Sequence, residues 1–401
     1  MQTKLAHMLD TWMVRHEMLP RAHARNMAAV IARQCVHCSP RRHRGQSVAL
    51  AEHWVAARLV AVIFCFEYPS HPQEGSDPTG QIRRIIDSAR TGGATPPGTP
   101  WLLAISDLFL SLIGPERRDI EAFTAAFEDH VDAVLAMARM PAAGHGAGWQ
   151  PARCCDAIDA CLRLRPLLAG MEPYLRCWQT LLDCRPGPSF EQAVASLAPE
   201  VRRAHPHAGL DHALALASEG HAPGGRRRSP RLPEIDALAV VAIYLANDLA
   251  SVARDRRSDG PDRDLNIVLL LERHFLAPAH DPARRWDDGA SAATDLEPGE
   301  AATVGMYNVL VARFRALREL VVARDDSDDT SAYLLLLASA VDGHLQGLIE
   351  LSAERLSTSS ASAPAPGGQA IEPRYGSMTI LKRLRFIDGP VTLSVEPSDG
   401  V

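Results

Sequence analysis

An apolar run that passes into an evenly spaced polar face constrains this chain more than any other feature. Residues 237–246 read ALAVVAIYLA, contain no glycine or proline, and continue into a polar stretch that ends at Asp255. An uninterrupted apolar segment of this length indicates a buried helix rather than a strand. We therefore expect one long central helix from Pro233 to Arg257, against which the other helices pack.

The polar part of this helix presents three oxygen donors. Asn247, Ser251 and Asp255 are each four positions apart, and because four residues advance a helix by about one turn, their side chains line one face. An amide oxygen, a hydroxyl and a carboxylate are hard ligands that suit Mg²⁺. Arg254 lies beside them, where it can hold a phosphate that shares the metal. The same spacing is also typical of an amphipathic helix end whose polar face is merely solvated.

Residues 247–255 resemble the second metal-binding motif of class I terpene synthases, N-D-x-x-S-x-x-x-E, with Asp255 in place of the usual Glu and Arg254 in place of the usual Lys. The resemblance implies an all-α fold, a single helical bundle around a central apolar cavity, over residues 1–356. A low-complexity linker at 357–370 and a basic, then strand-like tail at 371–401 would follow, and the tail would be free to close over the site.

The first metal motif of that family, D-D-x-x-D, follows an apolar helix, and here the corresponding residues 67–71 read EYPSH. Only Glu67 is a carboxylate, and the imidazole at His71 is a poor ligand for Mg²⁺. The resemblance assigns Glu67 to metal binding and catalysis. An ordinary acidic residue at the end of a surface helix explains this segment equally well.

A third match lies at residues 164–170, which read LRPLLAG. Pro166 predicts an interruption in the helix expected over 156–182. The resemblance makes Arg165 the diphosphate sensor and Ala169 the position whose carbonyl faces the substrate, with Arg163 as the alternative sensor. An arginine on an otherwise apolar helix needs an anion or solvent, so simple solvent exposure also explains either arginine.

The family chain usually ends with an Arg-Tyr pair that binds the diphosphate. Arg374 and Tyr375 have both residue types but lie beyond the linker, whereas Arg355 is nearer the expected distance and lacks the tyrosine. We take Arg374 and Tyr375 as diphosphate-binding candidates; an ordinary surface pair remains the alternative. The aspartate-rich stretch 325–329 (DDSDD) is out of family order, and we interpret it as a solvated loop with a helix N-cap.

Composition bounds the class of protein. The chain has 401 residues, of which 46% are hydrophobic, enough for a sizeable core. Its net charge of −6 argues against a general nucleic-acid-binding surface. The apolar segment 55–66 is too short to span a bilayer and the N-terminus lacks a signal-peptide core, so we expect a cytoplasmic protein with no integral membrane segment. Eight cysteines without framework spacing predict reduced thiols, Cys35 and Cys38 included.

The sequence thus predicts a terpene cyclase that ionises farnesyl, geranylgeranyl or a pre-cyclised diterpenyl diphosphate with three Mg²⁺ ions and cyclises the carbocation, as a monomer or homodimer. Aromatic side chains that are candidates for the cavity wall, and more commonly would be plain core, are Phe64, Phe66, Trp178 and Tyr244. One alternative is a non-catalytic protein of this type that binds isoprenoid diphosphates, which the departures at 67–71 motivate. A prenyltransferase ranks last, because it normally needs two aspartate-rich motifs.

Overall fold

Every regular element that the structure describes is an α-helix. The structure, a computed structural model, describes residues 1–40, 48–66, 78–91, 100–116, 118–138, 151–218, 232–257, 265–276, 296–361 and 380–389. No strand occurs within these ranges. The all-α fold class expected from the sequence is confirmed.

The helices follow one another along the chain with short connections where these are described. In order they are α1 (Gln2–Arg15), α2 (Arg21–His37), α3 (Leu50–Phe66), α4 (Pro78–Thr91), α5 (Pro100–Ile113), α6 (Glu121–Ala138), α7 (Pro151–Leu168), α8 (Met171–Leu182), α9 (Pro188–Ala204), α10 (Ala208–Ser218), α11 (Glu234–Asp255), α12 (Ile267–Leu276), α13 (Pro298–Val322) and α14 (Asp328–Ala361). The expected central helix is α11. The interruption predicted near Pro166 separates α7 from α8.

One boundary expected in the C-terminal part differs in the structure. The linker does not begin at residue 357, because α14 continues to Ala361. Extending an existing helix fixes one residue for each hydrogen bond gained, so the weak helix propensity of serine and threonine costs only a few tenths of a kcal/mol per residue. Of the tail, only residues 380–389 are described, and they form mainly turns and irregular backbone; the strand-like stretch expected after the basic one lies largely outside the described residues and stays a prediction.

The central position of α11 is explained by its apolar sequence. From Ile235 to Leu249 every residue except Asn247 is buried, and the helix packs against α7, α8, α9, α10, α12, α13 and α14. Two described helices, α11 and the 328–353 part of α14, are long and apolar enough to cross a membrane. The protein buries 89% and 67% of their most apolar windows, as it does for core helices.

Two glycines allow α2 and α14 to cross closely. A Cβ atom on Gly343 would stand 2.1 Å from the carbonyl oxygen of His37, and one on Gly347 would stand 2.1 Å from Oε1 of Gln34. Beside this crossing, Gln34 donates from Nε2 to Nδ1 of His344 at 2.6 Å. Burial lowers the pKa of His344 to about 4. The crossing therefore requires small residues and a neutral imidazole.

Residues 380–389, which we call the C-terminal segment, pack on α13 and α14. Four of its side chains join the main core, namely Ile380, Leu381, Leu384 and Ile387. Asp342 of α14 accepts the backbone N–H groups of Ile387 at 2.5 Å and Asp388 at 2.7 Å. Arg315 of α13 donates to the carbonyls of Phe386 and Ile387. Helix side chains thus satisfy backbone groups that have no partner within regular structure.

We predict that Gly343→Ala destabilises the protein by about 3 kcal/mol or more, because its methyl group overlaps the backbone of α2. Gly305→Ala is the matched control, since this glycine lies inside α13 and a Cβ there meets nothing within 4 Å. The control is expected to stabilise by about 0.5–1 kcal/mol through helix propensity. Urea denaturation followed by circular dichroism measures both. Equal effects of the two substitutions would contradict the close crossing.

We predict that His344 makes the free energy of unfolding decrease as the pH is lowered. Its folded pKa of about 4 lies below the ordinary value of 6.5, so between these values the unfolded chain binds more protons and the free energy of unfolding decreases as the pH is lowered. The contribution is complete above about pH 6.5. His344→Gln should reduce the loss between about pH 7 and pH 4.5 by roughly 2 kcal/mol.

Denaturation curves of wild type and variant at both pH values give this difference directly. Carboxyl groups such as Asp342, whose pKa burial raises to about 6, titrate in both proteins and cancel. A variant that loses as much stability as the wild type would show that His344 is protonated in the folded protein.

Candidate functional site

A buried ion pair between Arg165 and Asp248 joins α7 to α11. Nε of Arg165 donates to Oδ1 of Asp248 at 2.9 Å, and an Nη of the same guanidinium donates to the same oxygen. The other oxygen, Oδ2, accepts the backbone N–H of Ile267, the first residue of α12, at 3.0 Å. Burial raises the pKa of Asp248 above its ordinary value, while Arg165 and the Ile267 amide act in the opposite direction. One carboxylate thus connects three helices.

Asn266 occupies the space between Asp248 and the polar face of α11. Its Nδ2 donates to the carbonyl of Asp248 at 2.9 Å and to Oδ2 of Asp255 at 2.9 Å, and lies 3.3 Å from Oγ of Ser251. Its Oδ1 accepts the backbone N–H of Val268 at 3.0 Å, which caps the start of α12. This asparagine therefore fixes the candidate metal ligands against the next helix.

The structure brings two of the three candidate metal ligands together. Oγ of Ser251 donates to Oδ2 of Asp255 at 2.6 Å, and Arg254 donates from Nε to Oδ1 of Asp255 at 2.8 Å. Two neighbouring oxygens on one octahedral Mg²⁺ stand about 3 Å apart, given bonds of about 2.1 Å, so this spacing fits the ion after a small adjustment. Asn247 lies one turn earlier, half-buried. The set of oxygen donors suits Mg²⁺.

The break between α7 and α8 leaves carbonyls without their helical donors, and that of Ala169 is one of them. In a continuous helix the carbonyl of Ala169 would accept the N–H of residue 173, but that residue is a proline. Gly170 adopts a left-handed conformation with φ of +63°, and a Cβ there would stand 2.7 Å from Ile63. Glycine is therefore required at this turn for backbone and packing reasons. Leu168 is buried and Ala169 is half-buried at its edge.

The end of α3 lies beside this break. Ile63 contacts Gly170, and α3 is described as far as Phe66. Glu67 is the next residue along the chain, but residues 67–71 lie outside the described part, as do Arg374, Tyr375 and the side chain of Arg355. Their assignments stay predictions.

The remaining candidates lie as follows. Arg163 is exposed, whereas Arg165 is partly buried against α11. Trp178 and Tyr244 are fully buried and Phe64 is half-buried, while the side chain of Phe66 is outside the described part.

The aspartate-rich stretch is a capped loop, as interpreted from its position in the sequence. Asp325 accepts the N–H of Ser327 and the hydroxyls of Ser189 and Thr330, and Ser327 caps the first turn of α14. These hydrogen bonds lower the pKa of Asp325. The cysteines whose side chains are described are free thiols, and the burial of Cys35 and Cys38 raises the pKa of each.

Two residues of the site were not assigned roles from the sequence. Asp248 is one position after Asn247 and points to the buried side of α11, where a carboxylate needs a partner. This requirement was a usable signal, although it does not identify Arg165. Asn266 follows a charged stretch of the sequence, and nothing in its local sequence indicates the contacts with α11.

Comparison with known proteins adds no family assignment. A scan of the chain against protein-family models gives no match, and no curated protein matches its sequence. The function therefore has to be argued from the side chains of the site.

We predict that Asn266→Ala lowers the free energy of unfolding by about 2–4 kcal/mol, because it removes a helix cap and leaves a buried carboxylate short of a donor. Asn247→Ala is the matched control, since it removes an asparagine side chain from α11 beside the network. Its side chain is half-buried and makes no hydrogen bond to a described residue, so the expected change is within about 0.5 kcal/mol. Thermal and urea unfolding test this. A large loss in the control, or none in Asn266→Ala, would contradict the assigned network.

Proposed function

We propose that this protein is a terpene cyclase that ionises a prenyl diphosphate with the help of Mg²⁺ and cyclises the resulting carbocation. The observation that carries the proposal is the meeting of two elements distant in sequence. Arg165, next to the broken end of α7, contacts α11 within one turn of Ser251. An anion-binding guanidinium and a set of metal-binding oxygens are the two parts that diphosphate departure requires.

The side chains divide into distinct roles under this proposal. Asn247, Ser251 and Asp255 would hold Mg²⁺, together with Glu67 from the end of α3. The ion would supply a positive charge that stabilises the leaving diphosphate. Hydrogen bonds from Ser251, Asn266 and Arg254 already hold Asp255 in place, so little reorganisation is needed.

Arg165 and Arg254 would donate hydrogen bonds to the diphosphate. Nε and one Nη of Arg165 donate to Asp248, and the two hydrogen bonds together fix the plane of the guanidinium. Arg254 is mostly exposed at the end of α11 and pairs with Asp255. Arg374 and Tyr375 are proposed as further diphosphate contacts. Neutralising the charge that develops on a leaving group is usually the largest catalytic contribution.

The free carbonyl of Ala169 has a different role. Its oxygen carries a partial negative charge that no helical N–H neutralises, because residue 173 is proline. Such a dipole stabilises positive charge in a nearby substrate. We propose that it faces the allylic end of the prenyl chain as the diphosphate leaves.

The non-catalytic binder is the second candidate function, and the residues at 67–71 favour it. Glu67→Gln separates the two. The enzyme should lose turnover, whereas a binding protein should keep most of its affinity for the diphosphate. A prenyltransferase would instead lengthen an allylic diphosphate when isopentenyl diphosphate is added.

The test is incubation of the purified protein with farnesyl, geranylgeranyl and bicyclic diterpenyl diphosphates, with Mg²⁺ or with EDTA. We expect diphosphate release and a cyclic hydrocarbon or alcohol in the presence of Mg²⁺ only. Ser251→Ala and Asp255→Asn should lower kcat by about 100-fold or more, the scale of losing one transition-state contact. Arg254→Ala should also lose activity, and Arg257→Ala, three residues further, is the matched control. Absence of diphosphate release from every substrate would overturn the proposal.

A further inference from the structure

We propose that His130 of α6 is a positioning residue, which fixes the turn between α7 and α8 and so sets the direction of the Ala169 carbonyl. This inference rests on the proposed function for its catalytic consequence. The turn itself is observed, and its attachment to His130 is open to test without any substrate.

The hydrogen bond of His130 defines its tautomer. Nδ1 lies 2.8 Å from the carbonyl oxygen of Leu167, and the residue is 1% exposed. A carbonyl oxygen only accepts, so Nδ1 carries the proton and Nε2 is a bare lone pair. Nε2 is buried and has no hydrogen-bond partner in the part of the chain that the structure describes. Burial lowers the pKa of His130 to about 4, which keeps the ring neutral.

The Leu167 carbonyl needs this donor because the helix stops. In a continuous helix it would accept the N–H of Met171, but Gly170 turns the chain into the left-handed region. What remains from the backbone is a 3.3 Å contact with the N–H of Gly170. The bond from His130 is shorter. It joins the turn to a helix distant in sequence.

The packing around the turn is apolar, so the hydrogen bond from His130 is the contact that orients the turn. A small apolar cluster, separate from the main core, joins α6, the end of α7 and the start of the α12 region; its members are Ala133, Val134, Leu164, Leu167, Leu168 and Leu265. Apolar contacts are non-directional, so they do not specify how a peptide plane is rotated. The hydrogen bond from His130 specifies it for the Leu167 carbonyl, and together with Gly170 it restricts the three peptide planes between Leu167 and Gly170.

The expected consequence concerns the reaction path rather than substrate affinity. The diphosphate is held by Arg165 and by the polar face of α11, which His130 does not contact. A rotated Ala169 carbonyl would therefore leave KM nearly unchanged. It would lower kcat and alter the ratio of products, because a displacement of about 1 Å at a reacting centre costs up to about 100-fold.

Three substitutions at His130 test this. His130→Asn keeps a donor near the position of Nδ1. His130→Leu removes it, and His130→Gln carries its amide one bond further out, near Nε2. We expect kcat of His130→Leu and His130→Gln to fall about tenfold or more and their product ratio to change, while KM stays within about threefold of the wild-type value. His130→Asn should behave like the wild type. His344→Leu removes a partly buried imidazole at the crossing of α2 and α14 and should keep the wild-type kcat per folded molecule.

Hydrogen exchange of the peptide amides of residues 167–172 provides the readout that needs no substrate. Exchange should be faster in Leu and Gln and unchanged in Asn and in His344→Leu. The inference would be overturned if His130→Leu and His130→Gln kept the wild-type exchange rates, kcat and product ratio. It would also be overturned if His130→Asn were as impaired as His130→Leu. If the wild type releases no diphosphate at all, the proposed function fails, and the exchange rates still decide whether His130 fixes the turn.

Discussion

The fully buried carboxylate of Asp248 is the constraint on which the arrangement of this site depends. Removing an isolated carboxylate from water costs several kcal/mol unless charge and hydrogen bonds compensate. Here the compensation comes from Arg165 on α7 and from the first amide of α12, so both helices must lie where they do for α11 to keep this residue inside. The ion pair mainly specifies where α7 lies relative to α11, because the net contribution of a buried ion pair to the free energy of unfolding is small.

The hydrogen bonds around Asp255 extend this constraint to the polar face of α11. Ser251, Arg254 and Asn266 all donate to the Asp255 carboxylate. They balance its charge in the free protein and hold two oxygen atoms at nearly the separation that a small divalent cation requires. The cluster is thus organised without a ligand, and a cation that bound to Asp255 as proposed would displace some of these hydrogen-bond donors.

Rules of local sequence predicted the helices but not the long-range contacts. The central helix follows from apolar periodicity, which acts within a few residues. Pro166 indicated an interruption close by, but it lies inside α7, and the break falls at Ala169 and Gly170. The partners of Asp248 lie 83 and 19 positions away, and the bond from His130 to Leu167 spans 37, so no local pattern indicates them. The end of α14 was placed too early because the propagation of an existing helix outweighs the weak propensity of serine and threonine.

The C-terminal segment has a consequence for how the molecule is assembled during synthesis. Leu381 and Ile387 are part of the main core, yet they are translated after all the helices they contact. Until these residues have been synthesised, the core side chains that they cover stay exposed and Asp342 lacks the amides that it binds in the finished fold. This part of the core is therefore completed late in synthesis, and until then the nascent chain exposes an apolar surface of the kind that chaperones bind.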